Sequence, residues 1–464
     1  MAQEGFSVEQ LTAILGIIRD ALWGVPTMIL LLGTGLLLTI RLKGMTFYRF
    51  PRALKMIFEK EEGADGDVSA FGSLCTSLAA TIGTGSIVGV ATALRIGGPG
   101  ALFWMWVSAL LGMATKYAEC LLAVKYRTRD ENGNFSGGPM YYIEKGMGKK
   151  WIPLAKAFAI FGLTTALLGC GTFPQVNSIT ESVHNLFHIP TWVSGLIIAA
   201  LSGAVILGGI KSISRVAELI VPFMAILYIG GAVTVLFLNA ASIPGVFSDI
   251  FHAAFNPASV GGGVAGTALI SVITSMRTGI ARGIYTNEAG LGSSPIVSAS
   301  AKTNSCVRQG LISMTGVFIT TVVVCTMTGL VILSSGLLET SVLDGSVLAS
   351  QAFSISLPGN IGEYIVTIGI IFFSFTTIIG WCYYGERCAV YLTGGTKIIL
   401  PYKALYILML VIAPFLALDA IWTLADITNA LMVFPNLISL LALQKDVLSE
   451  TKLFWQNEKA NKQK

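Results

Sequence analysis

Hydrophobic residues in this chain come in long, nearly unbroken blocks. They fall at 25–42, 70–95, 100–124, 154–182, 191–210, 216–238, 261–285, 306–334, 361–391, 398–416 and 420–444. A helix needs roughly 20 apolar residues to cross the hydrocarbon of a bilayer, and each block comes close to that length. The pattern predicts an all-α integral membrane protein with about 11 transmembrane helices. A transmembrane β-barrel would instead show ~10-residue segments alternating between apolar and polar positions. The segment 6–23 is amphipathic and is expected to lie on the membrane surface. It lacks the basic start and small-residue cleavage site of a signal peptide. The polar residues 445–464 read as a fraying tail.

Composition agrees with the pattern. Of 464 residues, 54% are hydrophobic and only 12% are charged, whereas soluble domains run near 25% charged. That excludes a soluble enzyme, a disordered chain and a disulfide-stapled secreted domain. The net charge of +5 does not indicate nucleic-acid binding, because no basic run is interleaved with aromatic platforms. Lysine and arginine report sidedness instead. With the loop after the first span taken as cytoplasmic, 28 of the 30 basic residues fall inside, and only Arg19 and Arg95 fall outside. This predicts a multi-pass protein of the plasma (inner) membrane of a prokaryote, with its N-terminus outside and its C-terminus cytoplasmic. The seven cysteines form no CxxC pair, and the three histidines have no metal-ligand spacing.

Two blocks are interrupted. Leu78-Ala-Ala-Thr-Ile-Gly-Thr-Gly-Ser-Ile-Val-Gly89 places three glycines and three hydroxyls inside an apolar span. Ser271-Val-Ile-Thr-Ser-Met-Arg-Thr-Gly-Ile-Ala-Arg-Gly283 holds two glycines, two arginines and four hydroxyls. Glycine disfavours helix by roughly 1 kcal/mol against alanine. Non-helical backbone in a membrane is tolerated where it is buried in protein or lines a polar cavity. Two broken helices at corresponding places in two halves point to a transporter site, and the competing reading is close helix packing through small residues. Without the first span, the rest divides into five-helix halves at 70–238 and 261–444. Each half opens with a broken helix, and an odd span number gives the halves opposite orientation. This is a 5+5 inverted repeat with discontinuous helices plus one extra N-terminal helix. It is preceded by residues 1–69 and followed by the 445–464 tail.

Several motifs carry a family resemblance. Gly83-Thr-Gly85, Gly97-Gly-Pro-Gly-Ala-Leu-Phe-Trp-Met-Trp106, Gly112-Met-Ala-Thr-Lys-Tyr-Ala-Glu119, Gly137-Gly-Pro-Met-Tyr-Tyr142, Arg282-Gly-Ile-Tyr-Thr-Asn-Glu-Ala-Gly290 and Trp381-Cys-Tyr-Tyr-Gly-Glu-Arg387 resemble the alanine or glycine:cation symporters of bacteria and archaea. The resemblance covers nearly the whole chain. It implies a leucine-transporter-like fold and uptake of a small neutral amino acid, driven by Na⁺ or sometimes H⁺.

It also implies roles for residues. Backbone amides and the hydroxyl at Thr84 and Gly85 would hold the substrate carboxylate. Carbonyls from about Thr274 to Gly279 would take the ammonium, with Met276 and Ile280 nearby. Gln175 is an amide inside an apolar span and is expected to line the site, the alternative being an interhelical hydrogen bond. Trp381 would cap the pocket and limit side-chain size. For Na⁺, the hydroxyls of Thr376 and Thr377 would join carbonyls of Ala79, Ile82 and Phe373. The competing reading there is back-bonding of the hydroxyls within their own helix.

Two positions depart from the family pattern. Ser86 stands where Asn is expected after Gly-Thr-Gly, and Thr320 stands where Asp is expected in the eighth span. A second cation site would be weakened, so one cation per cycle is expected. Arg277, Arg282, Glu119, Glu288 and Glu386 are read as loop anchors and gating ion pairs, with a proton-carrying role as the alternative for Glu119. A proton-coupled transporter, or one preferring glutamine or serine, is the competing function on the same scaffold. An intramembrane enzyme is disfavoured, because no histidine or paired aspartate lies within a span. The protein is expected to work as a monomer.

Overall fold

The structure is a computed structural model that describes residues 8–59, 61–255, 272–416 and 418–462. The start of the span expected at 261–285, including Ser271, lies outside these residues. Among the described residues, eight helical stretches are long and apolar enough to cross a bilayer. Shorter apolar helices cover Ala70–Thr81, Val88–Gly97 and Thr191–Leu207.

In chain order the helices used below are α1 (Val8–Leu22), α2 (Val25–Arg41), α3 (Ala70–Thr81), α4 (Val88–Gly97), α5 (Gly100–Lys125), α6 (Ile152–Leu168), α7 (Phe173–Phe187), α8 (Thr191–Leu207) and α9 (Gly209–Leu238). There follow α10 (Val272–Asn287), α11 (Ser294–Ser298), α12 (Cys306–Val317), α13 (Thr326–Ser334), α14 (Ile361–Thr393), α15 (Ile399–Ile412), α16 (Leu418–Ala442) and α17 (Gln444–Lys462). Segment α12 reaches α13 through a π-helical stretch at Phe318–Cys325.

The core is a helix-on-helix bundle. Helix α5 packs against α10 and α12, and α14 packs against α3, α6, α7 and α9. Small residues set these contacts. A Cβ at Gly279 would lie 2.8 Å from Trp104 Cβ, and one at Gly283 would lie 3.4 Å from Met105 Cα, so α10 sits directly on α5. Helix α14 has 33 residues and spans about 50 Å at 1.5 Å per residue, longer than the ~30 Å hydrocarbon. Its last turns carry a buried ion cluster: Arg387 binds Asp130 at 2.8 Å and also pairs with Glu386, while Lys403 reaches Glu386 at 3.1 Å.

Three expectations are corrected here. The tail does not fray, because residues 444–462 form α17 against α5. Lys125 binds Asp446 and Glu450 at 3.0 and 3.1 Å, and Arg49 stacks 4.0 Å from the Trp455 ring. Of the segment 6–23, residues 8–22 form α1, which packs on α16 and ties Asp20 to Arg277 at 2.7 Å. Arg277 and Arg282 also change sides. Arg277 pairs with α1, and Arg282 shares a cavity with Arg19, so both lie at the end assigned to Arg19 and Arg95. Moving them still leaves a strong excess of basic residues at the opposite end.

Candidate functional site

The first break is where the sequence pattern places it. Helix α3 stops at Thr81, Ile82 and Gly83 leave helical geometry, and Thr84–Ser86 form a short 3₁₀ turn before α4. Gly83 is required by close approach: a Cβ there would lie 2.5 Å from Thr377 Oγ1 and 3.1 Å from Gln175 Oε1. At Gly85 it would lie 2.7 Å from Tyr285 Cδ1. The freed backbone finds partners on neighbouring helices, as buried backbone must. Thr84 N–H donates to Gln175 Oε1 at 3.2 Å, and Thr328 Oγ1 donates to Ser86 O at 2.9 Å.

The second break lies elsewhere than expected. Helix α10 is regular through Met276, Gly279 and Ile280, and the chain leaves helix after Asn287. Glu288, Gly290 and Gly292 take left-handed φ values of 56°, 94° and 79°. Position 288 lies nine residues beyond Gly279, about 13 Å further along the axis. Met276 and Ile280 instead face Val25, Met28 and Leu32 in an apolar groove beside α2. The glycines of this stretch serve helix packing, the competing reading of the motif. Arg277 and Arg282 are satisfied by ion pairs at the helix's outer end.

A left-handed non-glycine residue costs roughly 1–2 kcal/mol. Side chains from α5 and α16 over-determine it at Glu288. Lys116 Nζ donates to Asn287 O at 2.9 Å and contacts Ser294 Oγ. Gly290 N–H donates to Glu119 Oε1 at 2.9 Å. Asn436 Nδ2 donates to Gly290 O at 2.9 Å and to Glu119 Oε1 at 2.5 Å. Lys116, Glu119 and Glu288 are 1%, 0% and 1% exposed. Glu119 and Glu288, expected as loop anchors or gating ion pairs, instead lie buried and hydrogen-bonded at this turn.

A third interruption was not foreseen. The expected span 154–182 is two helices, α6 and α7, separated by Gly169-Cys-Gly-Thr172. Gln175 Nε2 donates to Cys170 O at 3.0 Å, and Tyr406 OH lies 2.7 Å from Gly171 O. A Cβ at Gly171 would come within 2.8 Å of Trp381 Cβ. The signal was present as two glycines shortly before Pro174, a residue that disfavours helix just ahead of it.

The three breaks meet around one small cavity. Its walls include Gly83, Gly85, Cys170, Gln175, Tyr285, Glu288, Thr377 and Trp381, and its volume is about 10 Å³. Gly85, Gln175 and Trp381 lie in these walls and Thr84 reaches one of them through its N–H to Gln175, while Met276, Gly279 and Ile280 are not among them. Gln175 lies in the wall and also accepts the interhelical bond from Thr84 N–H. Beside the cavity, Thr377 Oγ1 lies 3.0 Å from Ala79 O and 2.9 Å from Phe373 O. Thr376 Oγ1 donates back to the same Phe373 O at 3.0 Å, and Ile82 caps α3 next to Gly83. Thr376 can serve Phe373 O while Thr377 serves Ala79 O, so the back-bonding weighed as the competing reading is present, and four uncharged oxygens converge here. That is the chemistry a small hard cation completes.

A wider cavity of about 540 Å³ opens toward α4, lined by Arg19, Glu181, Asp344 and Trp422 among others. At its floor Arg282 binds Asp426 through two contacts of 3.2 Å. The Arg282 guanidinium lies 5.8 Å from the rings of both Tyr285 and Trp422. Tyr285 lines the small cavity as well, so this ion pair and these rings stand between the two spaces.

Comparison with known proteins agrees with this architecture. The profile of the sodium:alanine symporter family matches residues 8–464. An uncharacterized transporter of Haemophilus influenzae is 52% identical over 97% of this chain and 97% of its own. The sodium/alanine symporter AgcS of Methanococcus maripaludis is 46% identical over 94% of this chain and 96% of its own. The solved structure of MhsT in complex with L-phenylalanine superposes with a TM-score of 0.62 over 84% of this chain and 93% of its own, at 14% identity. The fold is therefore leucine-transporter-like, and the protein is a membrane transporter rather than an enzyme. The chain belongs to the sodium:alanine symporter family.

Proposed function

We propose that this protein takes up a small neutral amino acid of the alanine or glycine class by symport with Na⁺. Alternating access proceeds around the small cavity where the three breaks meet. The observation that carries this reading is the pair of carbonyls, Ala79 O and Phe373 O, sharing one Thr377 hydroxyl directly against Gly83. Na⁺ supplies the positive charge that this oxygen cluster lacks. The substrate carboxylate, at the Gly85 amide and the Thr84 hydroxyl, shares that charge. Trp381, packed edge-on against Tyr384 at 5.3 Å and against Gly171, is the wall that limits side-chain size.

The wide cavity is the outer vestibule, and Arg282–Asp426 is the gate beneath it. This orientation rests on the excess of basic residues at the opposite end. It puts the N-terminus outside and the C-terminus in the cytoplasm of a prokaryote. Ser86 and Thr320 supply no carboxylate or amide for a second cation. Thr320 Oγ1 donates back to Val317 O at 3.2 Å. One Na⁺ per cycle follows. The test is uptake of a panel of labelled amino acids by the reconstituted protein, with and without an inward Na⁺ gradient. Alanine or glycine uptake that follows the gradient supports the reading, and uptake that follows only a pH gradient overturns it.

A further inference from the structure

The second break carries a charge imbalance that the cation site does not explain. Lys116, Glu119 and Glu288 are its fully buried ionisable groups. Ionised together, two acids and one base leave one negative charge. Lys116 spends its contacts on Asn287 O and Ser294 Oγ and forms no ion pair within 4.0 Å with a described carboxylate. Glu119 is committed to backbone support through Gly290 and Asn436, and it is not among the residues lining the cavity.

Glu288 differs in both respects. It lines the cavity with Gly83, Gln175 and Trp381. Its Oε2 accepts only neutral donors, the hydroxyls of Ser293 at 2.6 Å and Ser294 at 3.1 Å. A buried carboxylate is strongly disfavoured unless a cation compensates it. Across the same cavity lie Gly83 and Gly85, the end assigned to the substrate carboxylate. The cavity, at about 10 Å³, is closed around its walls; once they part, a zwitterion between them presents its ammonium toward the second break.

We infer that Glu288 is the counter-ion of the substrate's α-ammonium and selects 2-amino acids over their 2-hydroxy analogues. This rests on the transport reading and specifies it. The one cation of the substrate meets the one described carboxylate that lines its cavity. The left-handed turn at Glu288, braced by Lys116, keeps the carboxylate at the wall.

The test compares wild type, Glu288→Gln and Glu288→Asp in proteoliposomes. The readouts are inhibition of labelled alanine uptake by unlabelled alanine and by lactate, and direct alanine binding by calorimetry in saturating Na⁺. Wild type should prefer alanine over lactate strongly. Glu288→Gln should lose that preference by at least about tenfold, the scale of one charge-assisted hydrogen bond. Glu288→Asp should retain most of it. A purely structural role would weaken both ligands alike and leave the ratio unchanged, which overturns the inference. If the carboxylate is compensated by a proton instead, Glu288→Gln binds alanine as wild type does, and that also overturns it. Should Glu288→Gln fail to fold, the same ratio measured for Glu288→Asp decides, because a lost preference despite a retained charge contradicts the assignment. Wild type without Na⁺-dependent alanine binding would instead refute the transport reading itself.

Discussion

Replacing Thr377 by valine removes one oxygen from the cation cluster with almost no change of shape. The structure separates its two consequences. Phe373 O keeps the Thr376 hydroxyl at 3.0 Å, so only Ala79 O loses a hydroxyl partner, at 3.0 Å. One lost hydrogen bond of this kind costs about 1 kcal/mol of stability. The cation loses a ligand, and interactions of a polar group with a charge are worth about 1.5–3 kcal/mol. Since 1.4 kcal/mol is a factor of ten, the Na⁺ concentration for half-maximal uptake should rise roughly 10- to 150-fold. The assay is the Na⁺ dependence of labelled alanine uptake in proteoliposomes, with thermal unfolding in detergent as the control for folding. Uptake at saturating Na⁺ should recover. A half-maximal concentration within about threefold of wild type, roughly 0.7 kcal/mol, would refute the assignment of Thr377 as a ligand.

Other substitutions probe the rest of the site. Gly83→Ala places a Cβ 2.5 Å from Thr377 Oγ1; overpacking of this kind costs about 1–3 kcal/mol, so the protein should melt earlier in a thermal-shift assay and lose uptake. Met276→Ala changes a side chain that faces α2, and the alanine KM should stay unchanged. Asp426→Asn breaks the Arg282 pair and should alter the maximal uptake rate severalfold while the half-maximal Na⁺ concentration holds. With Ser86 and Thr320 in place, the Hill coefficient for Na⁺ should be about one, and a value near two would require a second cation site.

What the sequence made legible depended on how each signal is satisfied in space. The first break was readable because three glycines crowd an otherwise apolar helix, and one of them, Gly83, is forced by the approach of Thr377. The stretch from Thr274 to Gly283 held the same residue types for another reason. Its glycines let α10 lie on α5, and its arginines pair at the outer end of the helix. Glycines that open a helix and glycines that let two helices touch look alike in one dimension. The real second break is carried by Glu288, Gly290 and Gly292, and it is held open by Lys116, Glu119 and Asn436. These come from two other helices, at sequence distances that no local pattern spans. The interruption at Gly169–Thr172 was masked by its apolar neighbours, which read as one continuous span. Gln175 was recognisable because an amide in an apolar span is costly unless it faces partners or a cavity.

The central claim is that the oxygen cluster at Thr377 couples Na⁺ to an amino acid. It is tested most directly by flux of labelled Na⁺ into proteoliposomes that carry an alanine gradient and no Na⁺ gradient. The account predicts inward Na⁺ movement that requires external alanine and, at a fixed low Na⁺ concentration, falls sharply in Thr377→Val. Na⁺ movement that ignores alanine, or that is the same in wild type and Thr377→Val, would contradict it.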